Sequence, residues 1–195
     1  MDYLALKFLH ILGLILLSTG LIAAFFTDRR ARRSLSVFAI AEACRYERQF
    51  GLSLVIPGAL LLGLSGTLLV LTLDIGFFSA PWIAGMWLLF VFEFFEGNTI
   101  TFSHARRRLS LAEDAESKGH ITPELRQELG RKLAAFTRFL DFTLGALMIS
   151  LGVFRPSSWS FFAVGIALSV GAALLLTAWL ANRASNLTIE LEQSP

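Results

Sequence analysis

The chain has 195 residues, of which 55% are hydrophobic and only 16% are charged. Soluble domains carry roughly 25% charged residues, so this composition excludes an ordinary soluble globular protein. Seventeen basic and fifteen acidic residues leave a net charge of +2, and the sequence therefore predicts no nucleic-acid partner.

Five apolar stretches are each long enough to cross a bilayer, which takes ~20 residues of helix. Their predicted bounds are residues 4–26, 52–73, 81–101, 139–154 and 159–181. The first stretch has no basic leader and is followed by a cluster of arginines, so it is expected to be a retained helix rather than a secretory signal. The sequence thus predicts an all-α membrane protein in which residues 1–195 form a single bundle domain of five transmembrane helices.

Basic residues orient the predicted bundle, because Lys and Arg are retained on the cytoplasmic side. Arginines and lysines cluster between stretches one and two and between stretches three and four, and Arg183 follows the last stretch. Only Lys7 and Arg155 fall toward the opposite side. We therefore expect a multi-pass protein of the bacterial inner (cytoplasmic) membrane, with its amino terminus outside and its carboxyl terminus in the cytoplasm.

The two cytoplasmic connections are predicted to be helical. Residues 34–50 place apolar side chains at three- and four-residue steps and are expected to continue into the second span. In the other connection, Lys118-Gly119 is typical of a helix end, and Thr122-Pro123-Glu124 is typical of a cap and first turn. Spans three and four should therefore project as a short cytoplasmic helical hairpin.

Small residues recur at positions suited to close helix packing, which membrane helices need because lipid supplies no hydrophobic drive between them. The stripes are Gly13 with Gly20, Ala59 with Gly63 and Gly66, and Gly165 with Ser169 and Ala173. They indicate packing within the chain or, alternatively, a homodimer or a partner in a membrane complex. Pro57 is expected to kink the second span.

Glu93 and Glu96 place two carboxylates on one face of the third span, and a continuous helix would carry that face on to His104. One interpretation is a proton or ion path formed by these three residues. The other is ion pairing, with Arg138 of the fourth span neutralising Glu96, because charges inside a membrane generally pair with one another.

His10 is the most informative residue of the first span, about 9 Å along the helix from Leu4 at ~1.5 Å per residue. Met86 and Met148 fall at a similar depth on the third and fourth spans. Imidazole and thioether groups ligate b-type haem or copper, so these three residues are the predicted cofactor-binding set, with His10 as the metal ligand. Alternatively, His10 bonds to a carbonyl or hydroxyl of a neighbouring helix and the methionines fill gaps.

Several motifs together resemble a bacterial family of predicted integral membrane proteins of unknown function. They are Lys7-x-x-His10-Ile11-x-Gly13, the arginine-rich turn, Arg45-Tyr46-x-Arg48, Gly63-Leu64-x-Gly66, and residues 144–148 with Arg155-Pro156. The first span is more distantly similar to CopD-type copper-resistance proteins and HemJ-type protoporphyrinogen oxidases. That similarity implies a copper- or haem-linked role for His10 alone.

The leading functional hypothesis is an inner-membrane protein in redox or metal handling, with a b-haem or copper site near the outer leaflet. The alternatives are a non-catalytic membrane subunit or assembly partner and a proton-coupled transporter that uses Glu93 and Glu96. No catalytic triad, phosphate-binding glycine loop or Cys-x-x-Cys-His motif is present in the sequence. The single cysteine, Cys44, excludes an internal disulfide.

The charge distribution makes a topological prediction. In a Cys44→Ala background, Ser117→Cys should be shielded from an impermeant maleimide in intact cells, whereas Ser79→Cys should be labelled. Permeabilised cells, in which residue 117 becomes reachable, are the control. Strong labelling at residue 117 in intact cells would reverse the predicted orientation.

Overall fold

The structure, a computed structural model, describes residues 2–192, with side chains described as far as residue 180. The side chain of Arg183, one of the basic residues that orient the chain, lies outside the described residues. Every regular element in the described part is helical. The elements are α1 (Tyr3–Arg33), α2 (Val37–Phe50), a π-helical turn (Gly51–Val55), α3 (Ile56–Thr72), α4 (Pro81–Glu96), a second π-helical turn (Gly97–Thr101), α5 (Phe102–Lys118), α6 (Pro123–Leu129), α7 (Lys132–Phe154) and α8 (Trp159–Glu192).

Five helical segments in the described chain are long and apolar enough to cross a membrane, which confirms the predicted fold class. They are Tyr3–Arg33, Val37–Thr72, Pro81–Lys118, Pro123–Phe154 and Trp159–Leu180. The second and third segments have 36 and 38 residues, well beyond the ~20 that a bilayer needs. The helices continue beyond the predicted spans, because the charged continuations are also helical and pack against one another.

The apolar surfaces of the spans face outward. In the most apolar windows of α1 and α8, only 17% and 11% of residues are buried within the protein. Large side chains such as Phe8, Leu64 and Leu175 are more than 60% exposed. Such a surface is stable only in lipid, so bilayer contact follows from the burial pattern as well as from the composition.

Contacts between Cα atoms divide the chain into two compact units. The first is Met1–Ala80 with Phe90–Gly130, and the second is Pro81–Leu89 with Arg131–Pro195. The expectation that the chain is one domain stays a prediction.

In the first unit, α1 and α3 approach each other through glycine. A Cβ atom on Gly58 would lie 2.5 Å from the backbone nitrogen of Leu17, and one on Gly13 would lie 2.6 Å from that of Leu62. These distances leave no room for a side chain, so the two backbones are in direct contact. Gly13 belongs to a predicted stripe, whereas Gly58, beside Pro57, belongs to none.

In the second unit, α7 and α8 are joined by reciprocal hydrogen bonds. The hydroxyl of Thr143 donates to the carbonyl of Ser169 at 3.1 Å, and the hydroxyl of Ser169 donates to the carbonyl of Thr143 at 3.2 Å. Gly165 lies against the side chain of Leu147, and Ala173 is fully buried. The stripe of small residues on α8 therefore packs within the chain.

Helix termini follow the predicted capping residues. α5 ends at Lys118, and Gly119 takes the left-handed conformation with φ 75°. The hydroxyl of Thr122 then accepts a hydrogen bond from the backbone N–H of Leu125 at 3.3 Å, and Pro123 occupies the first turn of α6. The helical hairpin of α5 and α6 is thus confirmed, as is the continuation of residues 37–50 into the second span.

The close crossing of α1 and α3 predicts the effect of one methyl group. Gly58→Ala should lower the thermal midpoint of the detergent-solubilised protein, because the two backbones must part and overpacking costs about 1 to 3 kcal/mol. Gly145→Ala is the matched control, since a Cβ atom there meets no described atom within 4 Å. That variant should leave the midpoint unchanged or raise it. Equal losses in both variants would contradict direct backbone contact.

Candidate functional site

A buried cluster of charges joins α1, α2 and α5 within the first unit. The Arg108 side chain is 3% exposed, and its guanidinium donates to the carboxylate of Asp28 and, at 2.9 Å, to both carboxylate oxygens of Glu47. Arg32 donates from Nε to the other oxygen of Asp28 at 2.8 Å, and from Nη1 to the backbone carbonyl of Leu129. We call Asp28, Arg32, Glu47 and Arg108 the Arg108 cluster.

The sequence builds this cluster by placing small residues around long charged ones. Asp28 and Arg32 are one turn apart on α1, and the same region packs an apolar core of largely small side chains. Its members are Ala31, Val37, Ile40, Ala41, Ala43, Cys44, Leu109, Ala112, Ala115, Leu125 and Leu129. The core resembles that of a small soluble helical domain, which explains why the helices continue beyond the apolar spans.

Two carboxylates and two guanidinium groups balance the formal charge of the Arg108 cluster. Buried ions are tolerated when each has a partner with good geometry, and loss of one partner leaves an uncompensated charge. The cluster therefore holds α1, α2 and α5 in one arrangement. Its carboxylates face arginines, so its chemistry is that of an ion pair rather than of an open ligand site.

Nothing in the sequence pattern pairs Asp28 with Arg108, which lies 80 positions later. In the sequence alone, Arg32 and Arg108 indicate only the orientation of the chain in the membrane. The one local signal is the Asp28-x-x-x-Arg32 spacing directly after an apolar stretch, which indicates an ion pair on one helix face.

His104, assigned to the predicted proton path, bonds to α6. Its Nδ1 lies 2.9 Å from Oε1 of Glu128, whose side chain is 4% exposed. The guanidinium of Arg107 lies 3.4 Å from the other oxygen of Glu128. These contacts tie the two helices of the hairpin together.

Glu96 sits where the second π-helical turn begins. Its side chain is buried, and the hydroxyl of Thr101 donates to its Oε1 at 3.0 Å. The wide turn inserts an extra residue, so the face of Glu96 continues at Thr101 rather than at Ile100, where a regular α-helix would carry it. A proton path through Glu93, Glu96 and His104 stays a prediction, as does the pairing of Glu96 with Arg138 in the second unit.

His10 hydrogen bonds to α3, and the contacts of its partner favour one of the two ring nitrogens as the carrier of the proton. Its Nδ1 lies 3.2 Å from Oγ of Ser65, and that hydroxyl lies 2.5 Å from the carbonyl oxygen of Leu61. Because a carbonyl only accepts, the Ser65 hydroxyl donates to Leu61 and accepts from the N–H of His10. In the neutral ring, Nε2 then carries the lone pair. A Cβ atom on Gly66 would lie 3.1 Å from Cε1 of His10, so the glycine gives the ring its space.

Met86 and Met148 belong to the second unit, on α4 and α7. The sulfur of Met86 lies near Gly152, one helical turn after Met148. Within the described part of the chain, no three His, Cys, Asp or Glu side chains gather as a metal site.

Residues 4–156, from α1 to just beyond α7, match the family described as "Predicted integral membrane protein (DUF2269)". The chain belongs to this family. The match confirms the predicted membership of an integral membrane family of unknown function, and it includes His10 and the Arg108 cluster. No curated protein and no solved structure was found to match the chain. The similarity to copper- and haem-linked families stays a prediction.

The Arg108 cluster makes a prediction about stability. Arg108→Gln should lower the free energy of unfolding by about 3 to 5 kcal/mol, because both buried carboxylates lose their charged contact with Arg108. The buried thiol of Cys44 reports the change, since it reacts with a maleimide dye only when the surrounding core opens.

The control is Lys118→Gln, which breaks a pair whose side chains are 50% exposed and should change little. Adding Glu47→Gln to Arg108→Gln should recover part of the loss, since one unpaired charge is removed. An Arg108→Gln protein with the dye-labelling midpoint of the wild type would contradict the structural role of the cluster.

Proposed function

We propose that this membrane protein acts in redox or metal handling through a b-type haem or copper site in which His10 is a ligand. The observation that supports the proposal is the hydrogen bond from Nδ1 of His10 to Ser65, 3.2 Å long, with the hydroxyl proton of Ser65 directed to Leu61. That arrangement holds the ring in one orientation and leaves Nε2 with the lone pair that a metal requires.

Histidines that bind metal typically donate their other ring N–H to a nearby oxygen, which sets the tautomer and the direction of the ring. Ser65, 2% exposed on α3, is such a partner, and Gly66 beside it leaves room for the imidazole. His10 lies in an apolar span, where an ionisable side chain is costly without a role. If the side chain at position 10 served only in packing, an apolar residue would be sufficient.

The chemistry of the available ligands fits either of two groups. Thioether sulfur from Met86 or Met148 suits Cu(I), and a histidine with a methionine forms the axial pair of some haems. Bound there, haem or copper would supply one-electron chemistry. Ser65 would hold the imidazole, and the surrounding apolar side chains would keep water from the site.

The test is the cofactor content of the purified protein after expression with ample haem and copper. The wild type should carry haem, seen in reduced and oxidised absorption spectra, or copper, measured by elemental analysis. His10→Ala should remove it, and Ser65→Ala should weaken it about 10- to 100-fold, as loss of such a partner typically does.

Matched variants separate ligation from stability. His120→Ala removes an exposed histidine and should leave the cofactor in place. Met86→Leu or Met148→Leu nearly conserves volume and should shift the spectrum or the affinity without unfolding the protein. A wild-type protein that purifies with neither haem nor copper would overturn the proposal, and His10 would then serve only as an interhelical hydrogen bond.

A second candidate function is a non-catalytic subunit or assembly partner, in a homodimer or a larger membrane complex. The observation that favours it is the ordered helical hairpin of α5 and α6, fastened by the Arg108 cluster and by the contact of His104 with Glu128. A folded projection of this kind suits protein recognition. This role would explain a wild-type protein that purifies with neither haem nor copper.

A further inference from the structure

A groove of about 560 Å³ lies between α2, the first π-helical turn and α5, entirely within the first unit. Its apolar floor includes Leu52 and Leu109. Its polar lining includes Arg45, Arg48, Gln49 and Glu113. An apolar floor with a charged rim is the composition of a site for an amphipathic ligand.

The groove lies at the edge of the bilayer by helix length alone. A hydrocarbon core of ~30 Å takes about 20 helical residues at ~1.5 Å each. Counted back from the end of α3 at Thr72, these residues reach Ser53, and counted forward from the start of α4 at Pro81, they reach Ile100. Two helices thus place Arg48 and the lower part of α5 at the level of the lipid headgroups.

The charge at this level is positive and open to solvent. Arg48 is exposed and has no ion pair among the described residues. Arg45 lies 3.8 Å from Glu113 and also pairs with Glu116, so this arginine is engaged by two carboxylates and Arg48 is the available cation of the groove lining. Arg106 is exposed and lies outside the groove lining, but its spacing of three residues before Leu109 puts it on the same face of α5. Its guanidinium lies 5.4 Å from the centre of the Phe102 ring.

The geometry points to this groove as a binding site for the headgroup of an anionic phospholipid from the surrounding leaflet. Arg48 and Arg106 would hold the phosphate, and the carboxamide of Gln49 can donate to it or to glycerol hydroxyls. Leu52 and Ile56, 47% and 40% exposed, continue from the groove into the span and suit the start of an acyl chain. Basic pockets at this level of membrane helices recognise such lipids.

The same features favour a phospholipid over free phosphate as the source of the bound phosphate group. A soluble phosphate would gain nothing from the leucine floor or from the exposed apolar side chains below it. A phospholipid satisfies both halves of the groove at once.

The experiment titrates the delipidated, detergent-solubilised full chain with phosphatidylglycerol or phosphatidylcholine and counts bound lipid by native mass spectrometry. Phosphatidylglycerol should bind preferentially. Each of Arg48→Gln and Arg106→Gln should weaken it about fivefold, given the typical contribution of one arginine near an anionic surface. Arg48→Lys should retain most of the binding, because the charge remains.

Arg126→Gln is the matched control, since it removes an exposed arginine from α6, away from the groove, and it should bind phosphatidylglycerol like the wild type. Burial of the Cys44 thiol verifies that each variant is folded. Equal binding of the two lipids, an equal loss in Arg126→Gln, or displacement of the bound lipid by millimolar inorganic phosphate would each overturn the proposal.

Discussion

The rest of the first unit depends on one interaction. The guanidinium of Arg108 is held between the carboxylates of Asp28 and Glu47. It joins the consecutive helices α1 and α2 to α5, which is distant from them in the sequence, at the level where apolar spans give way to charged segments. Lipid offers no hydrophobic drive for association of the apolar spans, so the cluster and the apolar core at their charged ends help to set the arrangement that packing within the spans completes. The small residues around the cluster allow the charged groups to approach one another in surroundings that exclude water.

The position of His10 follows from this arrangement. Asp28 of α1 and Glu47 of α2 both bind Arg108 of α5, and α2 continues through the π-helical turn into α3. The register between α1 and α3 is thereby set at one end, and the contact of Gly13 with Gly58 fixes it further along. One more turn brings His10 to Ser65. A side chain that holds one ring nitrogen in one direction requires such a succession of contacts, since a helix free to rotate in lipid would not hold it.

Local features of this protein could be predicted from its sequence, and long-range pairings could not. The five spans follow from apolar length, and the cap at Thr122 and the end at Gly119 follow from residue chemistry. The Arg108 cluster depends on how three helices are rotated relative to one another, which charge composition does not encode. Gly58 belongs to no stripe of small residues, and its close contact depends on the partner backbone. Within one predicted stripe, Gly63 meets the ring of Phe90 whereas Gly66 lies against His10 of α1.

Both π-helical turns lie near the calculated edge of the bilayer, at Gly51–Val55 and Gly97–Thr101. An extra residue rotates everything beyond it by about 100° relative to a continuous α-helix. A single helix can then direct small or apolar residues to its neighbours inside the membrane and charged residues to the cluster outside it. The second turn directs Glu96 toward Thr101, and the first turn contributes Leu52 and Ser53 to the groove of Arg48. A regular α-helix that crossed the boundary without the extra residue would place suitable side chains in only one of these two environments.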